Sequence, residues 1–372
     1  MTRRCSPEEM LARLVGFETV VGQSNTALME FVRDYLQAYG VTVHLLPGPE
    51  GDRDNLFATI GDVARAGHIL SGHVDVVPAR EPEWRGNPFD LREEEDRLIA
   101  RGACDMKGFV AAILSAVPDL VSMPLGSPIH IALSYDEEAG CRGVPHMIAA
   151  LPSLCAAPAG CIVGEPTGMV PVLAHKGKAA LRLVAGGRSG HSSRPDLGAN
   201  AIHALLPGLQ AAAAQARALQ QGQQDERFAP PWSSMQIGTL SAGQAVNIIP
   251  DRAEAQIEAR AIAGVEPRDL LAPVIDAAGE TVEVEWLSSY PSLALDVGHP
   301  LAALTTEISG NVPLGAVSFG TEAGLFQAAG IPSIVCGPGD IARAHRPEEY
   351  LMRAELYAAY EMILALGRKL AA

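Results

Sequence analysis

The chain has 372 residues, 48% hydrophobic and 19% charged, with 43 acidic against 28 basic side chains and a formal net charge of -15. That length predicts two domains, and the balance excludes a disordered tail. The acidity excludes nucleic acid as a partner, since phosphate binding needs clustered Lys and Arg, and no apolar run reaches the ~20 residues of a membrane helix.

In chain order, Ser6, Pro7 and Glu9 predict a capped helix that buries Met10, Leu11 and Leu14. A second helix is expected from Thr26. Short apolar runs at Val41 to Leu46, Leu56 to Ile60, Ile69 to Leu70, Ile129 to Leu133 and Cys161 to Val163 read as buried strands. Helical stretches at Gly108 to Leu120 and Val144 to Leu151 lie among them, the alternation of an α/β sheet. From 177 to 290 the order becomes strand (Ala179 to Val184), helix (Ala199 to Gln220), two strands (Met235 to Leu240, Ala253 to Ala261), helix (Pro267 to Ala278) and strand (Val282 to Trp286). This βαββαβ order is ferredoxin-like. An apolar run at Ile334 to Cys336 and a last helix from Met352 return to the α/β style. Residues 1–176 and 291–372 are therefore expected to form one discontinuous domain, with 177–290 inserted in it. Cys5, Cys104, Cys141, Cys155, Cys161 and Cys336 show no metal-type pairing and follow no signal peptide, so reduced thiols and a cytoplasmic location are expected.

Polar residues of catalytic type collect at strand ends, where α/β sheets assemble sites. His73 and Asp75 are two apart and share one face of an extended segment. By itself such a pair is more often a surface or structural pair than a metal ligand. Asp105, before an apolar helix, reads locally as its cap. Asp136, Glu137 and Glu138 end one strand and Glu165 ends another; a solvated acidic turn is the plain alternative for the first group. Gly337 to Ala342 matches a dinucleotide-binding pattern, but Pro347 interrupts the helix that pattern needs. His345 instead reads as a second imidazole ligand.

Taken together, Ser71-Gly-His-Val-Asp-Val-Val-Pro78, Gly102-Ala-Cys-Asp-Met-Lys-Gly108, Asp136-Glu-Glu138, Glu165-Pro-Thr167, Gly190-His-Ser-Ser193, Phe319-Gly-Thr-Glu-Ala323 and Ala344-His-Arg-Pro-Glu-Glu-Tyr350 resemble the two-zinc metallopeptidase and deacylase family that includes aminoacylase. Thr321-Glu322-Ala323 and the His345 motif tilt the resemblance toward its acetylornithine deacetylases. The resemblance spans essentially the whole chain. It implies a zinc-aminopeptidase-like catalytic domain carrying an inserted ferredoxin-like domain that acts as lid and dimerisation surface.

For the site, the resemblance implies one zinc ion on His73 and Glu165, a second on Glu138 and His345, and Asp105 bridging both; cobalt or manganese would suit the same donors. The carboxylates of Asp105, Glu138 and Glu165 would offset three of the four metal charges, leaving about one for an attacking hydroxide. It further implies Glu137 as general base, Asp75 as the acid orienting His73, and a cis peptide between Asp105 and Met106. His191 would stabilise the oxyanion from a partner subunit, and Asn247 and Arg260 would hold substrate; Thr321 and Glu322 are counted with them, though Glu322 reads equally as pairing with a basic substrate side chain or as orienting a loop. Arg260 also falls in register with Glu254, Gln256 and Glu258 on what reads as a solvated strand face.

The expected reaction is removal of the acyl group of a small N-acyl amino acid, N2-acetyl-L-ornithine above all, by a homodimer. Acetylcitrulline, succinyl-diaminopimelate, a formyl amino acid or a dipeptide are alternative substrates of the same chemistry. A catalytically dead relative would lack a ligand, and none is missing; a serine hydrolase would carry a G-x-S-x-G elbow, which does not occur.

Overall fold

The computed structural model describes residues 4–371. They fall into two compact units: one runs up to Leu173, through Leu295–Gly315 and from Thr321 onwards, and the other comprises Ala174–Ala294 and Ala316–Gly320.

The first unit opens with α1 (Pro7–Val15), α2 (Thr26–Ala38), β1 (Thr42–Pro47), β2 (Asp54–Ile60) and β3 (His68–His73). It continues through β4 (Arg92–Glu94), β5 (Arg97–Ile99), α3 (Lys107–Leu120), β6 (Ile129–Ser134), α4 (Val144–Leu154) and β7 (Gly160–Pro166). The second unit holds β8 (Ala174–His175), β9 (Gly177–Gly186), α5 (Ala201–Leu219), β10 (Ser234–Ala242), β11 (Arg252–Ala261), α6 (Ala272–Ala278), β12 (Val282–Tyr290) and β13 (Leu293–Ala294). Back in the first unit come α7 (Pro300–Ser309), α8 (Ala323–Ala328), β14 (Ser333–Gly337), β15 (Tyr350–Met352) and α9 (Arg353–Leu370).

Six strands of the first unit form a mixed sheet in the order β1-β2-β6-β3-β7-β14. Its β6, β3, β7 and β14 are mutually parallel, so their carboxyl ends lie along one edge. The register sets His73 beside Ser134 and Ser71 beside Val163, which levels the ends of three strands. Parallel strands covered on both faces need apolar side chains throughout. Accordingly every residue of β6 and β7 is buried. Helix α3 is buried all round from Lys107 to Val117. Gly164 makes this packing possible, because a Cβ there would stand 1.9 Å from the Phe109 ring. α1 begins as the sequence predicts: Ser6 Oγ accepts from Glu9 N at 3.2 Å, and Ser6 N donates to Glu9 Oε2 at 3.0 Å.

The second unit is a four-stranded antiparallel sheet, β10-β11-β9-β12, with βαββαβ connectivity. Alternate residues of β9 and β11 (Ala179, Leu181, Leu183; Ala255, Ile257, Ala259) form its core with Leu205 and Ala212 of α5 and Val274 of α6. The opposite face carries Lys178, Arg182, Glu258 and Arg260 half-buried. β10 is an edge strand, exposed from Gln236 onwards.

Two expectations change in detail. The helix expected from Pro267 begins as a 3-10 turn at Asp269–Leu271, and the α-helix starts only at Ala272. Pro273 is the reason: it has no N–H and is tolerated only in a first turn. Asn200 caps α5, accepting from Ile202 N and His203 N, so that helix starts later than Ala199. The sequence reading also missed the small sheet β15-β5-β4 and helix α7.

Candidate metal centre

β3 ends in His73, whose side chain is 1% exposed. Its Nδ1 lies 2.9 Å from the main-chain oxygen of Asp75. That oxygen can only accept, so Nδ1 carries a proton, and Nε2 is the nitrogen that would face a cation. Nε2 stands 3.0 Å from Asp105 Oδ1 and 3.7 Å from Glu165 Oε1. The second carboxylate oxygen of Asp105 lies 3.4 Å from His345 Nε2, which in turn stands 2.9 Å from Glu138 Oε1. One oxygen of Asp105 thus faces the His73 and Glu165 group, and the other faces the His345 and Glu138 group.

Ligand atoms of His73, Asp105 and Glu138 lie within 4.8 Å of one another, and so do those of His73, Glu137 and Glu165. The structure therefore brings together all the candidate donors that the sequence singles out, with Glu137 among them. Glu137 is distinguished by the thiol of Cys141, which donates to its Oε1 at 3.2 Å.

The local reading of Asp105 is overturned. Asp105 does not cap α3: the cap position is Met106, and no side-chain cap bond forms. The peptide between Asp105 and Met106 is cis, as the resemblance implies. Asp75 faces His73 Nδ1 with its main-chain oxygen at 2.9 Å and with its carboxylate Oδ1 at 3.5 Å, and that carboxylate also accepts from Glu137 N and Glu138 N, each at 3.1 Å. The acidic turn after β6 is thereby fastened to the segment after β3.

Electrostatics fit a cation. Burial, with Asp105 close by, pushes Glu165 well above the carboxylate range. Burial and the neighbouring Glu138, Asp75 and Asp105 carry Glu137 up to about 8. His345 is raised to about 10 by its bonds to Asp105 and Glu138. Burial opposes the charge of Asp105, yet bonds from His345 and His73 hold it below its usual value. Mutually repelling carboxylates with two imidazoles among them are a donor set that divalent cations would relieve.

Thr321 and Glu322, expected to touch substrate, do not face solvent. Thr321 is 0% exposed and its Oγ1 accepts from Ala323 N at 3.0 Å. Glu322 is 1% exposed, and its oxygens accept from Ser71 Oγ at 2.5 Å and Ser134 Oγ at 2.6 Å. Its carboxylate ties β3 to β6 beneath the site.

His191, Asn247 and Arg260 belong to the second unit. His191 is exposed; its Nδ1 accepts from Ser193 N at 3.2 Å, with Ser193 Oγ 2.8 Å away. Arg260 donates to Glu258 Oε1 at 2.7 Å and to the Tyr290 hydroxyl at 3.2 Å. Asn247 is exposed, with its main-chain oxygen accepting from Ser192 N at 3.1 Å. Two site residues escaped the sequence reading. Glu349 and Arg101, both buried, pair at 2.7 Å, and the only available signal was Glu349 lying within the His345 motif.

Residues 69–369 match peptidase family M20/M25/M40. The acetylornithine deacetylase of Proteus mirabilis is 32% identical over 350 residues, 92% of this chain and 89% of that protein. The enzyme of the same name from Edwardsiella ictaluri is 33% identical over 338 residues, 88% of this chain and 87% of its own length. Among solved structures, a metallo-carboxypeptidase of Sulfolobus solfataricus superposes with a TM-score of 0.77 at 21% identity, covering 97% of this chain and 98% of that one. A dinuclear metal-binding peptidase of Bacillus subtilis gives 0.63 at 17% identity, covering 97% of each. The chain belongs to peptidase family M20/M25/M40 and is a metal-dependent amidohydrolase.

Proposed function

We propose that the chain hydrolyses the amide of N2-acetyl-L-ornithine, giving L-ornithine and acetate, with two zinc ions held by His73 and Glu165, by Glu138 and His345, and jointly by Asp105. The observation that carries the metal assignment is Asp105, whose two oxygens face the two histidines at 3.0 and 3.4 Å. The substrate assignment rests on the deacetylase relatives, about 32% identical over nine-tenths of the chain.

When bound, the metal pair polarises the scissile carbonyl and lowers the pKa of the attacking water from 15.7 toward ~7. The rest falls to the chain. Glu137 takes the proton of that water and returns it to the departing amine. The Cys141 thiol donates to Oε1 of Glu137 and so helps to fix the orientation of its carboxylate. Asp75 keeps the turn in place through its bonds to Glu137 N and Glu138 N.

In the second unit, Nδ1 of His191 already accepts a main-chain N–H, so a neutral ring carries its proton on Nε2, the donor a developing oxyanion needs. We assign His191 to that task in the site of a partner subunit. Exposed β10, with Ile237 and Leu240 outward, offers a pairing edge for the homodimer. Arg260 and Asn247 are assigned to the substrate carboxylate, with Arg260 presenting its guanidinium fork from the half-buried sheet face. Buried free thiols suit a reducing cytoplasm.

The deciding experiment measures amine release from a panel of N-acetyl, N-formyl and N-succinyl amino acids and dipeptides. Acetylornithine should give the highest kcat/KM. A clear preference for a dipeptide or for another acyl group would replace the substrate while leaving the chemistry in place.

A further inference from the structure

Arg101 and Glu349 are each 1% exposed and 248 positions apart, and neither belongs to the donor set. Glu349 Oε2 accepts from Arg101 Nη1 at 2.7 Å. Its Oε1 accepts from two successive main-chain amides, Cys104 N at 3.0 Å and Asp105 N at 3.1 Å. Arg101 also donates to Arg346 O, Pro78 O and Glu81 Oε1, each at 3.3 Å. Pairing of Tyr350 with Ile99, and the bond from Ala100 N to Glu349 O at 3.1 Å, set the carboxylate at this depth. Three separate segments meet on this one ion pair: the one after β3, the loop bearing Asp105 and the loop bearing His345.

A buried charge pair is poor material for stability alone, since desolvation offsets much of its attraction. Its placement suits another task. The hydrogen bonds of Glu349 fix the main chain of Asp105, the residue whose two oxygens must face His73 and His345 together. We infer that Glu349, held by Arg101, is a positioning residue for the metal centre, fixing Asp105 and the His345 loop relative to each other; this rests on the two-metal reading above. Glu349→Gln keeps an oxygen for the two amides but turns an N–H₂ donor toward the Arg101 donors. Partners behind metal ligands commonly govern affinity by ~10–100-fold.

The test titrates Zn2+ into metal-stripped full-length protein against a chromophoric chelator, for wild type, Glu349→Gln and Glu349→Asp. If wild type binds two ions, at least one of them should bind Glu349→Gln ~10–100-fold more weakly, while KM for acetylornithine stays unchanged. Affinities within about threefold of wild type at both positions would overturn the inference and leave the two-metal reading intact. If wild type itself binds no zinc, the two-metal reading falls and the inference with it. Should Glu349→Gln fail to fold, Glu349→Asp, which keeps the charge and withdraws it by one methylene, is judged by the same criterion. If neither folds, Glu349 serves the fold at large and the inference is overturned.

Discussion

The donor cluster of the first unit and the polar residues of the second are held in opposite ways. In the first, most groups are fixed by a partner far away in sequence: the main chain of Glu137 and Glu138 by Asp75, that of Asp105 by Glu349, and Ser71 and Ser134 by Glu322. In the second, His191 is steadied by Ser193 and Arg260 mainly by Glu258, each two residues off. Long-range fixing gives rigid geometry and suits a centre that must preorganise charge. Local fixing leaves a side chain free to exchange one partner for another, which suits a group that meets a ligand. Substitutions in the first unit should therefore abolish metal or chemistry, and those in the second should leave the metal in place.

Asp105→Ala should show the largest effect, with turnover at background and metal content reduced at both positions, as elemental analysis would reveal. Two bound metals in an active Asp105→Ala protein would contradict the bridging role. Next, Glu137→Gln should keep both metals and lose ~100- to 10,000-fold in kcat. A Glu137→Gln protein that loses metal would make Glu137 a ligand, a position its closeness to His73 and Glu165 also permits.

On the other side of the comparison, His191→Ala should cost ~100- to 1,000-fold in kcat with unchanged metal content. Mixing it with Glu137→Ala protomers should restore activity if His191 serves the partner, because one site of each heterodimer is then complete. Exchange of subunits without recovery would place His191 in its own subunit's site. The smallest effect compares one buried histidine in each unit. Burial lowers both His130 and His175 to about 4, and each has an unpartnered Nε2. Unfolded histidine protonates near 6.5, so the unfolded state binds more protons below that pH. The contribution of each histidine, present in full above pH ~6.5, should be lost as pH drops toward 4, on the order of 2–3 kcal/mol each, while carboxyls raised by burial, Glu137 among them, act in the opposite sense over the same range. Chemical denaturation across that range would show it, and His130→Gln should flatten the slope if His130 is responsible.

Much of this was legible in the sequence because the strands are buried on both faces and the helices carry their own signals. Ser6 and Glu9 announce α1, and α5 starts where Asn200 can cap it. Helix α7 left signals that went unread, His299-Pro300 at its start and Gly310 in the left-handed region at its end. The sheet β15-β5-β4 left none, since strands of three residues carry no usable period. Side-chain roles were harder to read. Asp105 looked like a cap because capping is a local property, whereas its actual partners lie on β3 and beyond β14. For Glu322 a substrate contact and a loop-orienting role both stayed open, because nothing near it in sequence shows that Ser71 and Ser134 would close over both its oxygens. Glu349 had the same obscurity, with its partner at Arg101.

Gly164 carries a consequence for how this chain can change. Its α-hydrogen faces a ring that fills all the room a methyl group would need. Positions 109 and 164 therefore share one volume, and variation at either is conditional on the other. In a library randomised at both, functional clones with Ala or Ser at 164 should carry a residue smaller than Phe at 109, and Ala or Ser at 164 together with Phe at 109 should be absent. Because Glu165 follows directly, an uncompensated gain in bulk there would register first as lost metal and only afterwards as lost fold.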